Sequence, residues 1–348
     1  MTDIHRIGAV GVQGKALVDG RTSRARAGVA ELGKPDPVPY EGHFRMGSNT
    51  KTFTAVVVLQ LVGERRLSLD DKVDKHLPGV VKGNGHDGRQ ITVRQLLQHT
   101  SGIFNYTNDF PAFESYDAYL AHRFDHYDAE DLVAIAMKHP PYFKPGTSWE
   151  YSNTNYILAG MIVERVTGRT WAAEVRDRIV RPLGLTHTSY PGDRVSLPRP
   201  HANGYQQWEP GGALTDTTLF NTTAAGAAGG MVTTPADLTR FWSALQKGKL
   251  LKPRQMAEMH RTVLATTMQE DLPGARYGLG IHYLPNRCGG AWGHWGDVPG
   301  SSTANGVSAD GRRVVVLSTT TQLVAPEASR AVQERTIRLI DDVLCGRR

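Results

Sequence analysis

Phe44-Arg45-Met46-Gly47-Ser48-Asn49-Thr50-Lys51-Thr52-Phe53, running on through Thr54-Ala55-Val56-Val57-Val58-Leu59-Gln60-Leu61-Val62-Gly63-Glu64, is the stretch that decides how this chain is read. From Thr52 to Glu64 its length and apolar content predict a buried helix rather than a strand, with Gly63 the only breaker inside it. Ser48 then stands at the helix N-terminus, where free N–H groups and the helix dipole favour charge developing on an alkoxide or a tetrahedral oxyanion. Lys51, three residues on, shares its face. A serine hydroxyl is a weak nucleophile until a base takes its proton, and an amine serves once burial and cationic neighbours lower its pKa. By itself an Ser-x-x-Lys tetrad equally describes an N-cap serine followed by a solvated lysine, so its partners decide.

Two further groups supply them. Tyr151-Ser152-Asn153 follows the Pro145-Gly146 turn and precedes NYILAGMIVERVTG, in a loop at a helix start. There a phenol can shuttle a proton when a cation stabilises its phenolate, and an amide can position a substrate carbonyl or the lysine. Taken alone, the same residues fit an N-cap and a half-buried aromatic. His294-Trp295-Gly296 precedes STANGVSA and RRVVVLS, which are joined by Asp310-Gly311, so it is expected on a strand of an antiparallel sheet. Gly296 would allow backbone to approach a ligand closely.

In this order the three groups resemble the penicillin-binding protein and serine β-lactamase superfamily, whose last element is Lys-Thr-Gly or His-Thr-Gly. FRMGSNTKTF, ITVRQLLQHTSG, YTNDF, YSNTNYILAGMIVERVTG, HANGY, GGAL and YGLGI are similar to the Streptomyces D-alanyl-D-alanine carboxypeptidase branch, over about residues 30 to 348. The resemblance implies an α+β fold, an antiparallel β-sheet flanked by helices plus an inserted, mostly helical region. It implies catalytic roles for Ser48, Lys51, Tyr151, Asn153 and His294, and an oxyanion hole from the backbone N–H groups of Ser48 and Asp297. It places Phe110, His282, Trp295, Gly296 and Asp297 at the substrate, and in the secreted relatives cysteines at the positions of Cys288 and Cys345 form a disulfide.

The chain departs from that branch where the carboxypeptidases bind a terminal carboxylate. By its spacing to Cys288, His282 takes the place of an arginine, Trp295 that of the middle threonine, and Asp297 that of the hydroxyl after Gly296. Near Ala224, in TTAAGAAGG, small residues stand where the family has an aromatic across the cleft. A carboxylate would be repelled by Asp297 and lack bidentate pairing. The expected activity is therefore acyl transfer through Ser48 from an ester or amide donor lacking a terminal carboxylate, to water or an amine. Two other readings stand beside it. If Arg276 or Arg287 supplies the missing cation, the chain is a carboxypeptidase or β-lactamase; if the cleft serves as a receptor, it is a non-catalytic binder.

Composition narrows the alternatives. With 348 residues, 40% hydrophobic and 21% charged, the chain can bury one large core or two modest ones. No window approaches the ~20 apolar residues of a membrane span, and MTDIHRIGAVGV lacks a basic start leading into an apolar signal core. The chain as given reads as cytoplasmic, or extracellular had a leader been removed. Its net charge of +6 is scattered, and RTSRARAG is too short for a nucleic-acid footprint. No Cys-x-x-Cys occurs, and His99, His201 and His294 sit inside the serine-enzyme segments, so neither metal nor cofactor is expected. In a reducing cytosol Cys288 and Cys345 would stay thiols.

Residues 8 to 18 and 23 to 30 around Asp19-Gly20 read as a hairpin; 65 to 235 carries helical patterns such as VRQLLQH and AEDLVAIAMKH. Residues 1–64 and 236–348 thus form a sheet region, 65–235 a mostly helical one, with the motifs collected at the seam. In the last helix Val332, Ile337, Ile340 and Leu344 share a stripe. The chain is expected to lack the family's leading helix, leaving a sheet face for self-association.

Overall fold

In this computed structural model, which describes residues 1–346, Asp19 and Gly20 have φ of 50° and 87°, the left-handed values a two-residue hairpin turn requires. They join β1 (Gly11–Val18) to β2 (Arg21–Gly28). The other strands of the main sheet are β3 (Val263–Leu264), β4 (Arg276–Tyr277), β5 (His282–Leu284), β6 (Ala291–Gly293), β7 (Gly296–Val298), β8 (Ser301–Val307) and β9 (Arg313–Thr319). The strand order is β2-β1-β9-β8-β6-β5-β4-β3, antiparallel at each pairing, with β7 also lying against β8. The principal helices are α1 (Thr2–Ile7), α2 (Thr50–Gly63), α3 (Thr154–Thr167), α4 (Pro235–Gln246) and α5 (Pro326–Cys345). Helices and a mainly antiparallel sheet make this the mixed α+β class that the motifs imply.

α2 has no polar stripe because it has no exposed side: from Thr50 to Leu59 every residue is buried. Phe53 stacks on Phe241 of α4 at 3.8 Å between ring centroids. Each fully buried Val or Leu along α2 contributes about 1.5–3 kcal/mol, so packing holds this β-branched run helical against its modest propensity. α5 packs on β1, β8 and β9 through Ile340 and Leu344.

Two expectations are corrected. A leading helix exists: α1 is short, but Ile4 is buried with Ala9 and Val12, and α1 packs on α5, so the sheet face expected to be bare is covered. Cys288 and Cys345 are bonded, with Cα atoms 5.5 Å apart, tying the end of α5 to the β5–β6 loop instead of remaining thiols. Within residues 65–235 a short strand, Tyr205–Gln207, pairs with Leu214–Asp216 and with Thr321–Gln322 beyond β9.

Candidate active site

Gly47 opens the site. Its φ of +51° turns the chain into a short 3-10 turn, Gly47–Asn49, that runs directly into α2, leaving Ser48 half-buried at the helix start. β7 passes immediately alongside: a Cβ on Gly47 would lie 2.7 Å from the Asp297 nitrogen, and one on Gly296 2.6 Å from the Ser48 nitrogen and 2.2 Å from the Met46 oxygen. Glycine at both places is thus what lets these two backbone nitrogens come together.

Lys51 is fully buried. Its Nζ lies 2.9 Å from Ser48 Oγ, 2.6 Å from Asn153 Oδ1 and 2.8 Å from the Ala228 carbonyl oxygen. Among the described residues no carboxylate pairs with it, and burial holds its pKa well below the ordinary lysine value. A neutral amine has two N–H bonds and one lone pair. The two carbonyl oxygens can take the former, which leaves the lone pair for the Ser48 hydroxyl.

Tyr151 lies beside this pair, with Lys51 Nζ 4.8 Å from its ring centroid. Burial pushes its phenol's pKa up, the Ser48 hydroxyl opposing and the Asp297 carboxylate adding to the rise. Burial thus favours a resting phenol, where the sequence suggested a cation-stabilised phenolate. His99, held at φ 61°, fixes the Tyr151 loop: its Nδ1 accepts from the Ser152 N–H and the Asn155 amide, both at 3.2 Å, and its ring lies 4.3 Å from that of Tyr151. Asn153 is anchored on its other side, Nδ2 donating to Thr107 Oγ1 at 3.1 Å.

His294 corrects a second expectation. It was expected on a strand, yet it sits in the break between β6 and β7, and burial holds its pKa well below the histidine norm. Tyr277 donates to Nε2 at 2.8 Å and Nδ1 donates to the Trp295 oxygen at 2.6 Å, which fits a neutral ring of one tautomer. Asn305 fills the break: its Oδ1 accepts from the His294 N–H, its Nδ2 donates to the His294 oxygen and to Asn49 Oδ1. Sequence reasoning missed Tyr277, Asn305, Asn49 and Thr107, which stand in no motif; each is found by the atom it satisfies.

The expected substrate residues divide. Trp295 is half-buried and Asp297 exposed, its carboxylate accepting from Ser302 Oγ. His282 is buried, its pKa pressed down to about 3 by desolvation, so it replaces arginine in position but not in charge. Phe110 does not line an open wall: it is 1% exposed, packed among Tyr106, Phe113 and Tyr127 in the core. Arg276 is tied to Thr262, and Arg287 to Asp342 and the Gly346 oxygen. His122 and His126 stand four residues apart, a spacing metals use, but they pair with different carboxylates, Asp125 for one and Asp128 and Asp193 for the other. Among the described residues no three such groups converge on a metal-sized site.

A hydroxyl at a helix start, an amine lone pair against it, a phenol beside both and two backbone nitrogens across from them are the parts that acyl transfer needs. Comparisons with known proteins agree with this chemistry. The chain is similar to a solved D-stereospecific amidohydrolase from Streptomyces sp., 39% identical with a TM-score of 0.89, covering 100% of this chain and 97% of that one. It is similar to the D-amino acid amidase of Ochrobactrum anthropi SV3, 27% identical, TM-score 0.86, over 100% and 98% of the two chains. Penicillin-binding protein 4* of Bacillus subtilis is 33% identical over 183 residues, and protein flp of Staphylococcus aureus (strain COL) 30% over 230, or 51% and 65% of this chain. These matches span 38% and 43% of the relatives' own lengths, less than half. The family profile named Beta-lactamase matches residues 4–339, and the chain accordingly belongs to the beta-lactamase family of serine hydrolases.

Proposed function

We propose that the chain is an amidase and acyl transferase that carries the acyl group of an amino acid amide or ester, of D configuration, on Ser48. The observation that carries this reading is the fully buried Lys51, whose Nζ lies 2.9 Å from Ser48 Oγ. Lys51 takes the hydroxyl proton as Ser48 attacks the carbonyl carbon. The N–H groups of Ser48 and Asp297 hold the oxyanion, each worth about 3–4 kcal/mol of barrier. Tyr151 passes a proton to the departing nitrogen as the C–N bond breaks, and Asn153 holds Lys51 in place. His294, fixed by Tyr277, positions the β6–β7 break rather than carrying charge. Water or an amine then attacks the ester carbon, and the Ser48 oxygen recovers a proton. The D configuration rests on the likeness to the two D-specific enzymes. The preference for donors without a terminal carboxylate rests on Asp297, the neutral His282 and the occupied Arg276 and Arg287.

The test is whole-protein mass spectrometry with a fluorophosphonate, alongside turnover of D-phenylalanine amide, its L isomer and a D-Ala-D-Ala peptide. An adduct that Ser48→Ala abolishes, with the D amide turned over fastest, is expected. Turnover of the dipeptide alone would make the chain a carboxypeptidase, and an adduct surviving Ser48→Ala would remove the nucleophile.

A further inference from the structure

Between the β7–β8 hairpin, α5 and the loop 266–272 lies a cavity of about 290 Å³. Trp295 and Asp297 line it from β7 and the residues before it, Asp271 from the loop, and Val332 and Thr336 from α5. Its lining contains two carboxylates and no lysine, arginine or histidine. It also includes Thr303, whose buried hydroxyl has no hydrogen-bond partner in the fold. The cavity adjoins the reacting centre on a particular side. Met268, Leu272 and Trp295 of its lining belong to the same apolar cluster that backs Tyr151, and the Asp297 carboxylate is close enough to bias the Tyr151 phenol. Tyr151 is the residue assigned to the departing nitrogen, and an incoming amine must use the same side of the ester carbon in reverse.

Resting on the amidase reading above, we propose that this cavity is the acceptor site, and that it selects primary amines bearing a second positive charge while rejecting those bearing a carboxylate. The cationic end of the acceptor meets Asp297 and Asp271, and its apolar stem lies along Trp295, Leu272 and Val332. Its free amine nitrogen attacks the Ser48 ester carbon, forming the amide C–N bond. The ester C–O bond breaks, and the nitrogen's surplus proton passes through Tyr151 and Lys51 to Ser48 Oγ.

The experiment loads the full chain with D-phenylalanine methyl ester and measures how the acyl-enzyme divides between hydrolysis and transfer. The acceptors are butane-1,4-diamine, butylamine and 4-aminobutanoate, each normalised to its free amine groups. Because the readout is a product ratio within each variant, a change in acylation rate does not enter. The diamine is expected to be favoured over butylamine by about five- to tenfold, the worth of roughly 1–1.4 kcal/mol of charge pairing, and 4-aminobutanoate to fall below butylamine. Asp271→Asn should reduce the diamine preference and Asp297→Asn bring it towards one. High salt should erode it in the unaltered enzyme, which keeps the idea testable if either variant misfolds. Equal partitioning among the three acceptors, or preference for the carboxylate, would overturn the acceptor site while leaving the amidase intact. Absence of any Ser48 acyl-enzyme would overturn both.

Discussion

Three oxygens surround the Lys51 nitrogen, and the state of that one amine sets the chemistry. Since burial lowers its pKa, the unprotonated, proton-accepting form dominates above the lowered value. Acylation should therefore fall as pH is lowered through the Lys51 pKa, as the amine gains the proton that blocks it. A pH profile of kcat/KM with no acid limb would remove Lys51 as base. Lys51→Arg keeps a cation that cannot deprotonate, and is expected to lose acylation by at least 10³-fold in single-turnover assays, on the scale of losing a general base. Tyr151→Phe removes the proton carrier without removing the ring, and about 10²–10⁴-fold in acylation is the expected loss. Activated esters, whose leaving groups need no proton, should be spared most of it.

The decisive contact between elements is backbone against backbone. β7 and the Gly47–Asn49 turn meet with no room for a side chain, so Gly296→Ala drives a Cβ to 2.2 Å from the Met46 oxygen and must part the two segments. Loss of Ser48 labelling together with a lowered Tm is expected, since the same displacement breaks the oxyanion hole and the packing of β7. Unchanged labelling in that variant would mean that the two nitrogens need not meet. The interruption between β6 and β7 makes sense on the same scale. A regular strand would pair His294 into the ladder, whereas Asn305 replaces the missing backbone partners and leaves the ring to Tyr277. Trp295 and Asp297 were readable as departures from a motif, but Asn305 lies eleven residues beyond His294 in a strand whose alternation says nothing of its amide.

At the scale of the whole molecule, several ionisable groups are held neutral in the core. His99 and His294 have pKa values pressed well below 6.5, and His282 lies at about 3. As pH falls below 6.5 the unfolded chain binds protons at these positions and the folded one does not. Stability is therefore fully present above about pH 6.5 and declines below it, by about 1.4 kcal/mol per pH unit for each histidine. Urea midpoints at pH 7.5 and 5 should differ accordingly, and His282→Phe should flatten the slope; identical midpoints would show that these rings stay accessible to protons. The Cys288–Cys345 bond closes 57 residues of separation, for which chain entropy gives about 4 kcal/mol. Cys345→Ser should lower Tm by several degrees while sparing Ser48 labelling, because α5 packs on the face of the sheet away from α2.

By itself the sequence determined the helix expected from Thr52 to Glu64, the hairpin at Asp19-Gly20, the family and the loss of a cation where His282 stands, because periodicity, turn chemistry and motif order are written in local residues. Tertiary structure alone decided that burial lowers the pKa of His294, that Phe110 belongs to the core, that a short helix covers the sheet and that Trp295 and Asp297 wall a cavity free of cations. Charge state and exposure depend on how much water is removed and by which distant neighbours, and chain order does not carry that information until packing brings those neighbours together.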